Sequence, residues 1–521
     1  MRLKMKKKDE LILFIIAFII IFFSILAKPI NNLDEIWNYN FARNIADGLI
    51  PYKDFNMLQM PLLPIISGII LKYTFNEIII TRILAGFLCA TIMLLVYKIL
   101  KILDFKKELA VLITGIITLL MLEYYCLDYN FATLLIVLLI IYNEIKFYKR
   151  DKNIIKANIK QDILLGIMAG IAILLKQNTG ILVIIAMLAN KLFFIKNKQD
   201  LKEYLKSFLF RLMPILILIG LMIIYLIYNN CFNDFVNYSI KGVSEFSNYI
   251  PYKKLLKLDI TGLFALLVPI TFCIVIYKII IKRDKDKALY FLLIYGLAMF
   301  VVAFPISDKI HFYIGAIPTI VLMSYLLSSK ITNIIENKMY RFCFYYVKAT
   351  IYVSLLAYVI INSGTYLVNK QNYSDLAHYQ YIIVDEKLEE NIEKVDTFIL
   401  TSKDDVKILD ASAALYMIPI DKYNKNYDLL LKGNLGKDGE EKIITEIESS
   451  KDVKYLILQD KYHKNWQTPL QVINYVKENK NKTGTIGDFD IYEWTTEGEN
   501  SEKKFYIFIY IFSTNNFFKT D

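Results

Sequence analysis

The sequence predicts an α-helical polytopic membrane protein with about eleven transmembrane helices, followed by a small α/β domain. Of the 521 residues, 56% are apolar and 21% are charged, and the mean hydropathy is +0.41. Soluble domains are usually about 45–50% apolar, so a cytosolic globular protein is not expected. Residues 370–495 carry 17 Lys/Arg and 23 Asp/Glu, whereas the whole chain has a net charge of +11. This contrast indicates that residues 370–495 and the rest of the chain lie in different surroundings.

Apolar runs suited to membrane helices recur as far as residue 362. The first run, residues 11–27, is uncharged and spans a bilayer when its flanks are included. A cleavable signal peptide is the alternative, but no small-x-small cleavage site follows it. The other runs lie near 78–97, 109–123, 131–145, 163–175, 180–195, 208–228, 260–281, 288–304, 313–328 and 342–362. The two short runs around Lys176 are interpreted as a broken pair or one re-entrant unit.

The basic segments between the spans predict the orientation. The segments KFYKR (146–150) and KRDKDK (282–287) fall on the same side of the predicted topology. By the positive-inside rule this side is cytoplasmic. The N-terminus is therefore predicted in the cytoplasm and the region after the last span outside the membrane.

The region after the last span has the pattern of an extracytoplasmic α/β domain. Buried strands are predicted at 396–402 and 453–460, helices at 404–417 and 439–450, and a final strand or hairpin at 485–494. The predicted organisation is a transmembrane domain at 1–362, an α/β domain at 363–495, and a tail at 496–521 of unknown role. The apolar segment 503–512 in the tail is too short to span a bilayer.

Several classes of function lack support in the sequence. The three histidines, His311, His378 and His463, are not in H-E-x-x-H spacing, and the five cysteines form no cluster. No glycine-rich phosphate loop of the Walker or Rossmann type is present. ATP-driven transport and nucleotide redox chemistry are therefore not indicated. Membrane orientation explains the basic charge, so no nucleic-acid partner is predicted.

The first outside loop, residues 28–61, is long and rich in charged and aromatic residues. Apolar residues at helical spacing predict an amphipathic helix at the membrane surface; they are Leu33, Trp37, Phe41 and Ile45. Gly48 and Pro51 predict its end. The acidic pair Asp34 and Glu35 lies in its first turn.

Two interpretations of this acidic pair remain open. Asn32 and Glu35 fit a helix capping box, and acidic residues are favourable at helix N-termini. The alternative is a catalytic carboxylate at the membrane–water boundary. The segment Y-K-D-F and then Q-M-P follow the predicted helix, which favours a functional site.

This constellation resembles the GT-C superfamily of integral-membrane glycosyltransferases. Within it, the sequence is similar to the bacterial glycosyltransferase family 39 proteins related to protein mannosyltransferases and lipid A aminoarabinose transferases. The family pattern is an acidic pair in the first extracytoplasmic loop, a short helix, G-x-x-P-Y-x-D-F and then P-L. The matching segments here are Asp34-Glu35, residues 48–55 and Pro61-Leu62.

Later segments extend the resemblance over most of the chain. Arg82, LLKQNTG (174–180) and FPISDKIHF (304–312) are similar to family segments. In the C-terminal domain ILDASAALYMI, YDLLLKGNLG and NWQTPLQ are similar to bacterial members. The chain departs from the pattern at Gln59 and Met60, where the family often has His or a second Pro.

The resemblance implies an enzyme that transfers a hexosyl or pentosyl group from a polyprenyl-phosphate donor, with inversion. Asp34 is the first candidate for the catalytic carboxylate, which would orient or deprotonate the acceptor, and Glu35 is the second. Cationic candidates for the donor phosphate are Lys176, Lys309, His311 and Arg82. Candidates for substrate binding are Tyr52, Lys53, Asp54, Gln59, Asp128 and Asp308.

Each candidate also has a structural interpretation. Lys176 is suited to capping a short helix or reaching the interface, and Asp54 to a turn after Pro51. Asp308 is suited to an ion pair with Lys309 or Lys176. Asp128 is compatible with a solvated loop.

The implied partners are a polyprenyl-phosphate sugar, membrane lipids, and a lipid, protein or glycan acceptor. No cofactor is certain, although a divalent cation on the two carboxylates is compatible with its preference for oxygen ligands. The localisation implied is the cytoplasmic membrane of a bacterium. The main alternative function is a transporter or flippase of lipid-linked sugars; a ligase-like or polymerase-like lipid-sugar enzyme and a structural scaffold are weaker alternatives.

Overall fold

The computed structural model describes residues 7–30, 33–150, 154–245, 250–336, 338–368, 373–459 and 468–494. The chain forms two compact units, one comprising residues 1–240 and 247–385, and the other comprising 241–246 and 386–521. The domain boundaries expected from the sequence stay a prediction. The tail 496–521, part of NWQTPLQ, and Asn32 of the expected capping box lie outside the described residues.

The first unit is helical, and a helix lies at each of the eleven predicted apolar runs. Its helices are α1 (Lys7–Leu26), α2 (Leu33–Ala46), α3 (Leu62–Lys72), α4 (Ile78–Ile102), α5 (Lys107–Met121), α6 (Tyr129–Arg150), α7 (Ile159–Leu175), α8 (Gln177–Ala189), α9 (Lys198–Tyr228), α10 (Phe232–Phe235), α11 (Ile260–Ile280), α12 (Lys287–Phe300), α13 (Lys309–Glu336) and α14 (Lys338–Val368).

Eight helical segments in the described part of the chain are long and apolar enough to cross a membrane. They are α1, α4, α6, α8 with the turn that follows it, α9, α11, α13 and α14. The helices α5, α7 and α12 have 15, 17 and 14 residues, which is short for a span. The protein is therefore a multi-pass membrane protein, but the predicted number of about eleven spans is not confirmed.

The burial pattern fits a helical bundle in lipid. Val96 of α4, Leu292 of α12 and Val321 of α13 are completely buried in the core of the unit. Leu209 and Leu221 of α9 are more than half exposed. Such apolar side chains are costly in water but suited to contact with acyl chains.

The helices α7 and α8 form a hairpin with a single residue at its tip. Lys176 is extended, with φ −151° and ψ 117°, and separates the two helices. The legs pack closely at Gly180, where a Cβ atom would lie 2.3 Å from the Cα of Ile173. The predicted break at Lys176 is thus confirmed, as a broken pair of helices.

The second unit contains a four-stranded sheet and four helices among its described residues. The strands are β1 (Asp405–Ile408), β2 (Val453–Leu458), β3 (Asn481–Ile486) and β4 (Phe489–Glu493), in the order β1-β2-β4-β3. The β1–β2 pair is parallel and the other two pairs are antiparallel. The helices are α15 (Glu386–Thr401), α16 (Ala413–Met417), α17 (Gly439–Ser449) and α18 (Leu470–Asn479).

The strand at 453–460, the helix at 439–450 and the final hairpin are confirmed, but two other predictions are wrong. Residues 396–401 of the predicted strand belong to α15, because Ile392, Val395 and Ile399 recur at helical spacing and are buried. Residues 404–417 contain β1 and only a short helix. Val406 and Ile408 alternate inward, and β1 pairs with β2, so tertiary pairing decides the structure of this segment.

Replacing Gly166 should destabilise the helical unit. A Cβ atom there would lie 2.3 Å from the Arg211 carbonyl oxygen, whereas a Cβ at Gly220 of α9 meets nothing within 4 Å. Overpacking costs about 1–3 kcal/mol, so we expect Gly166→Ala to lower the midpoint of thermal unfolding in detergent. Gly220→Ala is the matched control and should leave the midpoint unchanged or higher. Equal midpoints for the two variants would contradict the close packing.

Candidate active site

The helix α2 carries the acidic pair and confirms the predicted helix in the first loop. It ends shortly before Gly48, whose φ of +93° suits glycine. Its buried face differs from the prediction. Tyr39 and Arg43 are almost fully buried, while Trp37 of the predicted apolar stripe is only half-buried. The helix is therefore packed into the protein on its polar side as well.

Glu35 and Arg82 form a bidentate ion pair between α2 and the first turn of α4. Arg82 Nε and Nη2 donate to the two carboxylate oxygens of Glu35 at 2.7 and 2.9 Å. Arg82 Nη1 also approaches the carbonyl oxygens of Ile25, Leu26 and Lys28 at 3.2, 3.5 and 2.9 Å. All three guanidinium nitrogens are therefore engaged within the chain. This geometry suits a residue that holds the end of α1 and the start of α2 together.

Asp34 lies deep in the same region but keeps part of its surface accessible. Burial, and then the neighbouring Asp128 carboxylate, raise the pKa of Asp34 to about 6. His311 opposes this shift and Asp308 adds to it. Asp34 is thus electrostatically coupled to residues from two other connections. A carboxylate with a raised pKa is a stronger base than an ordinary aspartate.

Asp128 is linked to Lys176 through Asn130 and acts electrostatically on Asp34. Burial raises the pKa of Asp128, while the backbone amide of Asn130, which donates to its Oδ1 at 2.7 Å, and then Lys176 lower it. Lys176 Nζ donates to Asn130 Oδ1 and lies 5.3 Å from the centre of the Tyr129 ring. Burial lowers the pKa of Lys176 to about 8. The hairpin tip therefore brings a buried amine to the acidic residues.

Asp308 directly precedes α13 and His311 lies in the first turn of that helix, and both act electrostatically on Asp34. His311 Nδ1 lies 2.8 Å from Asp308 Oδ1, which also accepts from the His311 backbone amide. Lys309 points elsewhere, because its Nζ lies 3.6 Å from Asp259 Oδ2 and half of its side chain is exposed. The imidazole is therefore oriented by Asp308, whereas Lys309 is paired at the start of α11.

The segment after α2 forms a tight turn. Asp54 Oδ2 accepts from the Ile50 amide at 2.7 Å, and the exposed Lys53 lies at the turn tip. Tyr52 is completely buried, and its hydroxyl donates to the Gln59 carbonyl at 2.8 Å. The structure therefore gives Asp54 and Tyr52 local structural contacts, and of this group Lys53 is the most accessible.

Gln59 links this turn to the acidic pair. Its Nε2 donates to Asn38 Oδ1 at 3.1 Å, and Asn38 Nδ2 donates to the Asp34 carbonyl at 2.7 Å. The residue that departs from the family pattern thus supports the backbone of the candidate catalytic residue.

A divalent cation does not fit the described residues. Both carboxylate oxygens of Glu35 are held by Arg82. Within the described ranges no group of three or more His, Cys, Asp and Glu side chains is arranged to hold a metal ion. No step is therefore assigned to a cation.

Sequence reasoning missed Lys28 and Tyr129 at this site. Lys28 Nζ donates to the Glu123 carbonyl at 2.9 Å, and burial lowers its pKa while Cys126 and Glu35 raise it. Tyr129 supplies the ring beside Lys176. Lys28 follows an apolar run directly, so it looks like an ordinary interfacial lysine in the sequence.

The arrangement provides an ionisable carboxylate, a buried amine and an oriented imidazole at one end of the helical unit. The carboxylate of Asp34 can accept a proton, and Lys176 can neutralise a developing anion. These are the requirements for displacement of an anionic leaving group by a hydroxyl or amine.

Removing Arg82 should destabilise the protein because Glu35 would keep a largely buried charge without its partner. Such losses cost about 3–5 kcal/mol, so we expect Arg82→Met to lower the thermal midpoint clearly. Lys309→Met breaks an exposed ion pair and should leave the midpoint nearly unchanged. If Arg82→Met were as stable as wild type, the contacts of Arg82 with α1 and α2 would not contribute to stability.

Neither a protein-family model nor a curated protein sequence matches the chain, but solved structures do. The structure is similar to the Archaeoglobus fulgidus oligosaccharyltransferase in complex with zinc and sulfate, with 14% identity and a TM-score of 0.50 over 92% of this chain and 73% of that one. It is also similar to ArnT from Cupriavidus metallidurans bound to undecaprenyl phosphate, with 11% identity and a TM-score of 0.51 over 94% of this chain and 98% of that one. Both are GT-C glycosyltransferases, so the predicted resemblance is confirmed at the level of the fold. The chain has the GT-C fold.

Proposed function

We propose that the protein is a glycosyltransferase that uses a polyprenyl-phosphate sugar as donor. The observation that carries this proposal is that Lys176 donates to Asn130, whose backbone amide donates to Asp128, while the charges of Asp128 and His311 act on Asp34. It occurs in a chain with the GT-C fold. ArnT of Cupriavidus metallidurans, with the same fold, is bound to undecaprenyl phosphate, which supports a lipid phosphate as the carrier.

The proposed reaction is a single displacement. The acceptor hydroxyl or amine attacks the anomeric carbon and gives its proton to Asp34, while the bond from that carbon to the phosphate oxygen breaks. The electron pair leaves with the lipid phosphate, whose charge Lys176 neutralises. A single displacement of this kind inverts the anomeric centre.

Glu35 and Arg82 have a positioning role in this scheme. Their bidentate pair fixes the first turn of α2, in which Asp34 is the preceding residue. Glu35 is thus a weaker candidate for the base than Asp34, because Arg82 occupies both of its oxygens. Asp128 favours proton acceptance by Asp34 through charge repulsion.

The proposed setting is the outer face of a bacterial cytoplasmic membrane, with the N-terminus inside. The basic segments at 146–150 and 282–287 support this orientation. The site then faces outward, and the acceptor is a lipid, a protein or a glycan of the cell envelope. The bias toward Ile, Lys, Asn and Tyr is typical of an AT-rich bacterial genome.

Donor turnover tests the proposal. Protein in nanodiscs is given radiolabelled polyprenyl-phosphate monosaccharides, and release of the sugar is followed for wild type and Asp34→Asn. Loss of a general base costs about 100-fold or more, so turnover should nearly vanish in Asp34→Asn. Asp104→Asn, an exposed aspartate paired with Lys149 at the opposite end of the helices, is the control and should retain turnover.

Two outcomes would contradict this proposal. Equal turnover in Asp34→Asn and wild type would show that Asp34 is not the base and would favour helix capping as the role of the acidic pair. Donor movement across a vesicle bilayer without turnover of any donor would indicate a flippase.

The pH profile of kcat/KM gives a second test. The pKa of Asp34 is raised to about 6, so protonation removes the base below that pH. The pKa of Lys176 is lowered to about 8, so its charge is lost above that pH. We therefore expect a bell-shaped profile between these values.

Lys176→Arg separates the two limbs of this profile, because arginine stays charged at all relevant pH values. The alkaline limb should move upward in this variant and the acid limb should stay. An unchanged alkaline limb would show that Lys176 does not set it.

A further inference from the structure

A cluster of buried charges lies at the end of the helices away from the candidate active site. Arg211 of α9 donates from Nε to Asp162 Oδ1 at 2.8 Å, and its Nη1 lies 3.2 Å from Glu144 Oε1. Nη1 also donates to Asn190 Oδ1 at 2.9 Å and to the Met187 carbonyl at 2.7 Å. The guanidinium therefore joins α6, α7, α8 and α9.

Two further residues complete this basal cluster, which we define as Glu144, Asp162, Asn190, Lys191, Ser207 and Arg211. Lys191 Nζ donates to Ser207 Oγ at 2.7 Å, and Ser207 Oγ donates to Asp162 Oδ1 at 2.7 Å. All six side chains are at least 95% buried. Two cations face two anions, so the cluster is neutral overall.

Buried charges in membrane helices are costly, and they are retained where they have a role. The basal cluster belongs to the same helical hairpin that carries Lys176. Asp162 lies in the first turn of α7, and Asn190 follows the last residue of α8. With a rise of 1.5 Å per residue, α8 separates Asn190 from the tip by about 20 Å. The cluster therefore closes the base of the hairpin whose tip is Lys176.

Close packing against α9 fixes the position of α7, the first helix of the hairpin, along the axis of the bundle. Gly166 and Gly170 of α7 form a G-x-x-x-G pattern against α9. A Cβ at Gly166 would lie 2.3 Å from the Arg211 carbonyl oxygen, and one at Gly170 would lie 2.6 Å from Leu218 Cδ1. Such small residues let membrane helices approach closely. One helical turn from Gly166, the ion pair between Arg211 of α9 and Asp162 of α7 prevents the two helices from shifting along each other.

We propose that Arg211 and Asp162 are positioning residues that hold the α7–α8 hairpin so that Lys176 stays at the phosphate of the lipid donor. The proposal rests on the proposed function for the role of Lys176. The basal cluster contacts no substrate. It acts by ordering the base of the hairpin and fixing the position of α7 along α9, and the donor meets only the tip.

A double-mutant cycle tests this proposal. Affinity for undecaprenyl phosphate is measured in nanodiscs for wild type, Arg211→Met, Lys176→Met and the double variant. We expect Arg211→Met to weaken binding about tenfold, and to cause no further loss once Lys176 is methionine, because coupled residues are non-additive. Additive losses in the double variant would overturn the proposal, as would normal binding by folded Arg211→Met.

Two companion variants test whether weak binding by Arg211→Met merely reflects loss of the fold. Arg211→Lys restores the charge and should recover part of the affinity. The combination of Arg211→Met with Asp162→Asn removes both charges and should bind as weakly as Arg211→Met. Lys98→Met breaks another interhelical ion pair, between α4 and α1, and is the control that should bind normally. Weak binding by Lys98→Met equal to that of Arg211→Met would overturn a role specific to the hairpin.

Hydrogen exchange separates this proposal from the proposed function. The Gly180 amide donates to the Lys176 carbonyl at 2.9 Å, so its protection reports the order of the tip. Arg211→Met should speed exchange there, and unchanged exchange would overturn the positioning role. If Lys176→Met binds undecaprenyl phosphate normally, the phosphate role of Lys176 fails, whatever the exchange shows.

Discussion

The bidentate pair of Glu35 and Arg82 is the constraint on which the candidate active site depends. The guanidinium binds a carboxylate of α2 and at the same time donates to the carbonyl oxygens at the end of α1. Helix ends need partners for their free carbonyl groups, and here a buried arginine supplies one. One side chain thus connects the end of α1, the start of α2 and α4. Asp34 takes its position from this arrangement because it precedes Glu35 in the same turn.

The electrostatics of the site follow from how closely its loops converge. Asp128 lies near enough to Asp34 for its charge to oppose ionisation of Asp34, and burial raises the pKa of both carboxyl groups. Lys176, held by Asn130 and facing the Tyr129 ring, is the nearby buried cation. A carboxylate with a raised pKa is suited to accepting a proton, and the protonated amine of Lys176 is suited to stabilising an anion. The GT-C fold supplies the frame that brings these side chains to one end of the helices.

Hydropathy and short motifs were enough to predict the fold class, the helix of the first loop and the break at Lys176. These features depend on local pattern and on membrane chemistry. The partners of individual residues were not predictable, because Arg82 and Glu35 are 47 positions apart and only the packed bundle joins them. The error at residues 396–402 has a different, local cause, since their helical register becomes visible only when the preceding acidic segment of α15 is included. Arg211 left one signal, a charge within an apolar run, which marks a functional or positioning residue.

A structure of the protein with undecaprenyl phosphate bound in nanodiscs, solved by cryo-electron microscopy, tests the central claim most directly. That claim is that Asp34 and Lys176 face one lipid-phosphate site at the end of the helical bundle. We expect the phosphate within ion-pair distance of Lys176 Nζ, about 4 Å, with Asp34 facing the same space. A phosphate held elsewhere, with Lys176 still bonded only to Asn130, would contradict it.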